Sequence, residues 1–242
     1  MAAHDITRIR REPRRRELTV VETQMLSPRM KRIIFASDEL HDFESAAPDD
    51  HIKLFIPGLS EPDGKLVMRD YTPRAFDPER GTLTIDFALH EAGPATAWAL
   101  DAGIGSVLTI GGPRSSTVVA DDFDWYLLIG DETAIPAIAR RVEELRPQAN
   151  IICILVTDSL DDRIEILNRS KLVVHWVARG KGFVSDDQLV LARLAEWQQP
   201  CGDGYIFVAA EASVTSKLKA HFLASGHNPT WLKASGYWVR ND

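Results

Sequence analysis

Polar and apolar residues alternate along much of the first half of the chain. ELTVVETQM (17–25) and RMKRIIFAS (29–37) flank the breaker pair SP, and HIKLFIPG (51–58), GTLTIDFAL (81–89) and GSVLTIGG (105–112) follow between Gly, Pro and Asp breakers. A period of two marks half-buried strands, so these segments predict about five or six short strands. Strands at this spacing point to a small antiparallel β-barrel. One piece departs from the pattern: PATAWALDAG (94–103), with proline early and glycine after its end, predicts a helix.

The period changes in the second half. DWYLLIG (124–130), NIICILVT (150–157), KLVVHWVAR (171–179) and YIFVAA (205–210) are short apolar runs of the kind that form buried parallel strands. Between and after them, TAIPAIARRVEELR (133–146), SDDQLVLARLAEW (185–197) and ASVTSKLKAHFLAS (212–225) carry apolar residues at helical spacing. Such alternation predicts a doubly wound parallel α/β domain with helices on both faces. The switch falls in STVVADD (116–122). The expected organisation is therefore a basic, flexible tail over 1–16, an antiparallel barrel over 17–119 and an α/β domain over 120–242.

Composition narrows the function classes. The chain has 242 residues and a formal net charge of −7, which argues against nucleic acid as a partner. The arginines at 8, 10, 11, 14, 15 and 16 run against that balance, but no aromatic residues accompany them, and they read as a solvated tail. No apolar leader is visible, and no run approaches the ~18 apolar residues of a membrane span. A cytoplasmic protein without membrane contact is expected. With only two cysteines, no disulfide framework or zinc spacing exists, and Cys153 inside IICILV is expected to be a buried hydrophobe.

Two stretches carry candidate chemistry. RDYTPR (69–74) packs two arginines, a flat aromatic and a hydroxyl into one strand end. Arg69 and Tyr71 share a face in an extended strand. A guanidinium suits a pyrophosphate, and a tyrosine ring suits a flat aromatic ligand such as a flavin nucleotide. An ordinary polar strand end is the competing reading. DFALHEAGPATAWA (86–99) runs from a strand end into a helix whose first-turn amides and partial positive charge suit a phosphate, with Thr96 close by. A plain turn, with His90 as a hydrogen-bonded structural residue, is the alternative there.

Taken in order, RxYTxR, DFxLHxxGPAxxWA, IGGPRSS, LLIGDETAIPAIARRVE and a final GYW resemble the FAD-binding siderophore-interacting proteins, ferric-siderophore reductases distantly related to ferredoxin–NADP reductases. The resemblance runs from about Val20 to Trp238. It implies a β-barrel flavin domain followed by a nucleotide-binding-like α/β domain. It also implies that Arg69 holds the FAD pyrophosphate, Tyr71 packs on the isoalloxazine and Thr72 bonds near its reactive edge. Asp86, Phe87, Leu89 and His90 would line the adenosine and ribityl parts, and Gly93, Pro94, Ala95 and Thr96 the phosphate turn. Thr133 and Ala134 would approach the flavin from the second domain, with Tyr237 and Trp238 covering it or shaping its pocket. Lys53, Arg114 and Arg240 match places where relatives carry basic residues facing an anionic ferric siderophore. No side chain is expected to act as a catalytic acid or base, and no protein metal ligands are expected.

The GDETAIPA turn stands where a dinucleotide pyrophosphate sits in doubly wound folds. It is poor in glycine, however, and Asp131 and Glu132 are there to repel phosphate. The donor is accordingly open between NADPH, NADH and reduced ferredoxin. Two alternatives to a siderophore reductase stand beside it: a general NAD(P)H:flavin or ferredoxin reductase, and a non-catalytic flavin- or siderophore-binding module. The oligomeric state and the roles of Asp70 and Arg74 are not indicated.

Overall fold

The structure, a computed structural model, describes residues 4–60, 64, 66–90, 93–168, 171–180, 182 and 184–240. Asp63 and Lys65 of the turn before RDYTPR, and Glu91 and Ala92 within DFALHEAGPATAWA, lie outside them. The chain divides into two compact units, one over 5–119 and one that joins His4 to 120–240.

The first unit contains β1 (Ile6–Arg10), β2 (Arg15–Ser27), β3 (Met30–Ala36), β4 (Ile52–Ser60), β5 (Leu66–Tyr71), β6 (Ala75–Asp77), β7 (Thr82–Ala88), α1 (Pro94–Asp101), β8 (Val107–Gly111) and β9 (Ser115–Val119). Seven of the strands form one antiparallel sheet in the order β5-β4-β8-β2-β3-β7-β6. Alternate residues from across that sheet, among them Leu18, Val20, Ile33, Phe35, Ile52, Leu54, Leu83, Ile85, Phe87, Leu108 and Ile110, converge on one core. A sheet that sends one face of every long strand into one core must curl around it, the barrel that the alternation predicts. Ala95 and Ala99 of α1 plug the same core.

The N-terminal segment differs from the expected tail. Ile6–Arg10 pairs antiparallel with β9, and β2 already begins at Arg15. Its arginines are tied down: Arg11 to Glu44 and the Ser116 hydroxyl, Arg14 and Arg16 to Asp42. A run of arginines reads as solvated when its partners are distant in sequence, and here those partners lie at least 26 residues away.

The second unit contains β10 (Trp125–Asp131), α2 (Ile135–Glu144), β11 (Asn150–Thr157), β12 (Lys171–Ala178), α3 (Asp186–Leu194), β13 (Gly204–Glu211), α4 (Ala212–Ala224) and β14 (Leu232–Trp238). Its five strands are all parallel, in the order β12-β11-β10-β13-β14. Helices α3 and α4 cover the face that carries Leu127, Ile129, Ile152 and Ile154. Helix α2 lies on the opposite face, so close that a Cβ on Gly130 would stand 2.7 Å from the Ala134 Cβ and 2.8 Å from Ile138. Glycine is required there by close approach of helix to strand. Cys153 is buried, as its apolar neighbours imply. His4 joins this unit by stacking on Phe123 at 3.9 Å and bonding Asp122 and Asp203.

Candidate functional site

Helix α1 organises the first unit's site from both of its ends. At the C-terminal end, the buried Lys31 ammonium donates to the carbonyls of Ala99 (2.7 Å), Leu100 (3.3 Å) and Ala102 (3.0 Å). These are the acceptors that a helix end leaves unsatisfied, and a cation beside them opposes the negative pole of the helix. At the N-terminal end, Gly93 is the cap residue and supplies no side-chain cap, and Pro94 opens the first turn. The first intrahelical amide bond is Ala97 to the Gly93 carbonyl, so the Ala95 and Thr96 amides have no helical acceptor.

This open start faces a cavity of about 570 Å³ lined by Arg29, Leu89, His90, Gly93, Pro94, Thr96, Ala97 and Leu100. Among the described residues, no carboxylate lines it. The Thr96 hydroxyl is the informative group: the residue is 5% exposed, and Oγ1 has no hydrogen-bond partner among the described residues. A buried hydroxyl left without a partner costs about 1–3 kcal/mol. Gly93 shapes the entrance, since a Cβ there would stand 3.0 Å from the His90 ring and 3.5 Å from Thr96 Oγ1. The arrangement offers amides, a hydroxyl and a cation to an anion.

RDYTPR closes β5 and opens the segment leading to β6. Arg69 is exposed, with one guanidinium nitrogen 2.8 Å from the Met68 carbonyl. Tyr71 is half-buried and packs on Phe87 at a ring distance of 4.7 Å, and Phe87 in turn lies 5.9 Å from Trp98 of α1. Burial pushes the Tyr71 hydroxyl well above its ordinary value, with Arg69 pulling the other way, so the ring stays a neutral phenol. Thr72 and Arg74 are buried.

Asp86 sits differently from the remaining strand residues. Its carboxylate is fully buried, receives a fork from Arg32 (2.7 and 2.8 Å) across the β3–β7 pair, and has the Arg74 Nε at 3.7 Å. The cavity therefore gathers Leu89, His90, Gly93, Pro94 and Thr96 from the sequence candidates, while Asp86 pairs with Arg32 and Phe87 and Ala95 belong to the core. Arg74, without a role from sequence, takes one beside Asp86. Asp70 takes another: it pairs with Lys53 across β4 and β5 at 2.7 Å. Arg114 is exposed on the loop between β8 and β9, where its carbonyl accepts from the Arg11 amide.

In the second unit, parallel strands bring their C-terminal ends to one edge. Asp131, at the end of β10, is 1% exposed and fully engaged. One carboxylate oxygen accepts from the Thr133 amide (2.9 Å) and hydroxyl (2.5 Å); the other accepts from the Glu211 amide (3.1 Å) and the Trp238 indole (2.8 Å). Burial, reinforced by the charge of Glu132, pushes its pKa up to about 6 against those hydrogen bonds. Thr133 and Trp238 thus meet on one carboxylate, and Ala134 caps α2. Tyr237 is half-buried beside them in β14, and the Arg240 guanidinium lies 5.8 Å from the Trp238 ring.

Next to Asp131, Glu132 is held by a fork from Arg179 (2.8 and 2.9 Å), which also bonds Asp158 (2.8 Å) and Asp186 (2.7 Å). Burial works against the Arg179 charge, but the bonds from Asp186 and Glu132 outweigh it and hold the guanidinium protonated. A nucleotide phosphate placed at this edge meets the carboxylates of Asp131, Glu132, Asp158 and Asp186 and one committed arginine.

Residues 123–241 match the family described as Siderophore-interacting protein, and residues 19–64 and 58–117 match the Siderophore-interacting FAD-binding domain. The chain is 34% identical to the NADPH-dependent ferric-chelate reductase of Escherichia coli, over 96% of this chain and 95% of that protein. It belongs to the siderophore-interacting protein family. It is also 30% identical to ferric vibriobactin reductase of Vibrio cholerae, over 81% of this chain and 78% of the relative. A siderophore utilization protein from T. fusca superposes with a TM-score of 0.90 at 28% identity, covering 98% of this chain and 97% of that one.

The residues present suit the FAD that the family description names. The open α1 start, a Thr96 hydroxyl without a partner among the described residues and a described lining without carboxylates suit a diphosphate. Sequence reasoning missed Arg29, Lys31 and Arg32, which share one short stretch of the β2–β3 hairpin. Their signal was weak because SPRMKRI reads as an alternating strand with a solvated cationic face. Among the described residues, no helix is long and apolar enough to cross a membrane, and no cluster of His, Cys, Asp and Glu is placed to hold a metal ion.

Proposed function

We propose that this chain is an FAD-dependent ferric-siderophore reductase acting in the cytoplasm, delivering electrons from NADPH, NADH or reduced ferredoxin to iron(III) held in a siderophore. One observation carries the reading: the match to a ferric-chelate reductase extends over nearly the whole of both chains, across both units. Bound FAD supplies the acceptance of two electrons and their release one at a time, which no side chain can do. Around it, Arg69 and the α1 start hold phosphate oxygens by charge-assisted hydrogen bonds. Tyr71 offers a ring already braced by Phe87, and Thr72 a hydroxyl near the same strand end. Thr133, Ala134, Tyr237 and Trp238 contribute from the second unit, where Asp131 holds Thr133 and Trp238 together. Leu89 and His90 flank the adenosine side.

Iron(III) bound by hard anionic oxygens loses much of its hold on them once reduced, so release of the metal needs no protein ligand. A chain of net charge −7 needs local cations to attract such a chelate, and Lys53, Arg114 and Arg240 serve in this reading. Lys53 shares its charge with Asp70, so its part is small. Double reversal, K53E with R114E, raises the apparent KM for an anionic ferric chelate several-fold while flavin content holds. Unchanged kinetics remove the assignment.

The decisive experiment is anaerobic reduction of the purified flavoprotein with NADH, NADPH and reduced ferredoxin in parallel, followed by several ferric siderophores and an iron(II) trap. The trap colours with at least one donor and chelate pair. A flavoprotein reduced by a donor but inert to every ferric chelate is instead a general flavin reductase, and one that no donor reduces is a binding module.

A further inference from the structure

Strand β12 closes the parallel sheet on one side, and β11 is its sole strand partner among the described residues. The Lys171 amide donates to the Ala149 carbonyl at 3.0 Å and the Arg179 amide to the Thr157 carbonyl at 2.8 Å, so the odd-numbered residues turn their backbone groups towards β11. Alternation turns the N–H and C=O of Leu172, Val174 and Trp176 the other way, and no described residue bonds them. The side chains leave the strand equally bare: Val173 is 49% exposed, and the other residues from Leu172 to Ala178 are half-buried.

Open edges recruit other strands, and proteins blunt them with charge, proline, a bulge or brevity. Three other edges of this molecule follow that rule. Strand β6 has three residues, β5 ends in Arg69 and Asp70, and β14 carries a register shift opposite Ala210 and Glu211. KLVVHWVA runs for eight residues with its one lysine at the first position. Burial and the charge of Arg193 push the His175 pKa below its ordinary value, so the histidine adds no charge at neutral pH.

The order of residues in the strand says what fits beside it. A two-fold axis normal to the sheet keeps like faces together and so pairs residues of like parity. With the axis at Val174, Val174 meets itself and Leu172 meets Trp176 of the second copy, all through the free backbone groups. Val173 then falls opposite His175, and Lys171 opposite Val177. Aromatic–aliphatic pairs of this kind are favourable across strands, and no like charges face each other over 171–177. An axis one residue on, at His175, would set histidine on histidine and Lys171 opposite Arg179.

We propose that two copies of this chain pair antiparallel along β12, with Val174 on the two-fold axis, so that one sheet runs through both. The pairing uses no residue of the flavin or siderophore reading above and stands independently of it.

Sedimentation of the full chain over a range of concentrations tests it. Wild type passes from monomer to dimer with a Kd on the order of 10 µM. V174P deletes an N–H that β11 does not use, so it keeps the wild-type unfolding midpoint while weakening the dimer about tenfold or more. V174K does the same by bringing two cations together on the axis. Crosslinking reads the register. With the exposed Cys201 replaced by serine, V174C couples to its own copy under a mild chemical oxidant, because paired Cα atoms stand about 5.5 Å apart. L172C lies about 13 Å from its copy in this register and does not couple. A wild-type chain still monomeric at about 100 µM, a dimer that V174P and V174K leave intact, or coupling of L172C in place of V174C overturns the proposal.

Discussion

Helices α1 and α2 both follow a strand end, both begin with proline in the first turn, and neither has a side-chain cap. Their surroundings are opposite. At α1, the approach is Gly93, a Thr96 hydroxyl without a partner among the described residues, and a cavity whose described lining carries no carboxylate. At α2, the approach is Asp131 and Glu132, each already saturated by the chain's own donors. A helix start binds an external anion only when the protein has not already provided one. That difference favours the first unit for the proposed phosphate site and leaves the edge of the second unit's parallel sheet braced and acidic.

The largest test of this contrast acts on the far end of α1. K31M leaves two buried carbonyls and one half-buried one without their donor and is expected to lower stability by about 3 kcal/mol in denaturant unfolding. A loss below about 1 kcal/mol means that α1 is held by core packing alone.

The next acts on α2. The folded protein raises the Asp131 pKa to about 6, above the ordinary carboxylate value, so this group's stabilising contribution is complete in acid below that ordinary value. It is lost as pH rises through about 6, on the order of 3 kcal/mol in all. D131N removes this step from the pH profile of stability, and the Trp238 fluorescence change that accompanies it. A wild-type profile that runs parallel to the D131N profile between pH 4 and 7 shows that the carboxylate stays ionised throughout.

The smallest effect is the most discriminating. T96V removes a buried hydroxyl that has no partner among the described residues, so the flavin-free variant is expected to be as stable as wild type or more so. The same variant loses about tenfold in FAD affinity. Losing stability in the flavin-free state instead identifies Thr96 as a structural residue, and the two helix starts then cease to differ in kind.

Much of the fold was legible. Alternation in ELTVVETQM, RMKRIIFAS and GTLTIDFAL located β2, β3 and β7, and the apolar runs located β10 to β13. RDYTPR, read as a strand end, lies on β5, whereas strands β1, β6, β9 and β14 escaped notice because they are short or lack a clean apolar pattern. The site was half legible. RDYTPR and the glycine–proline turn announce anion chemistry by residue type, but the motif joins Asp86 to His90 without saying that one is sealed behind the wall and the other faces the cavity.

The sequence by itself determined the periodicities, and with them a curled antiparallel unit followed by a parallel one, because period two and period 3.6 are local properties of the chain. Only the tertiary structure decided which polar groups find partners. Arg32 reaches Asp86 across 54 residues, Trp238 reaches Asp131 across 107, and the Thr96 hydroxyl finds no partner among the described residues. Whether a hydroxyl is satisfied depends on neighbours brought in from afar, and that dependence singles out the start of α1.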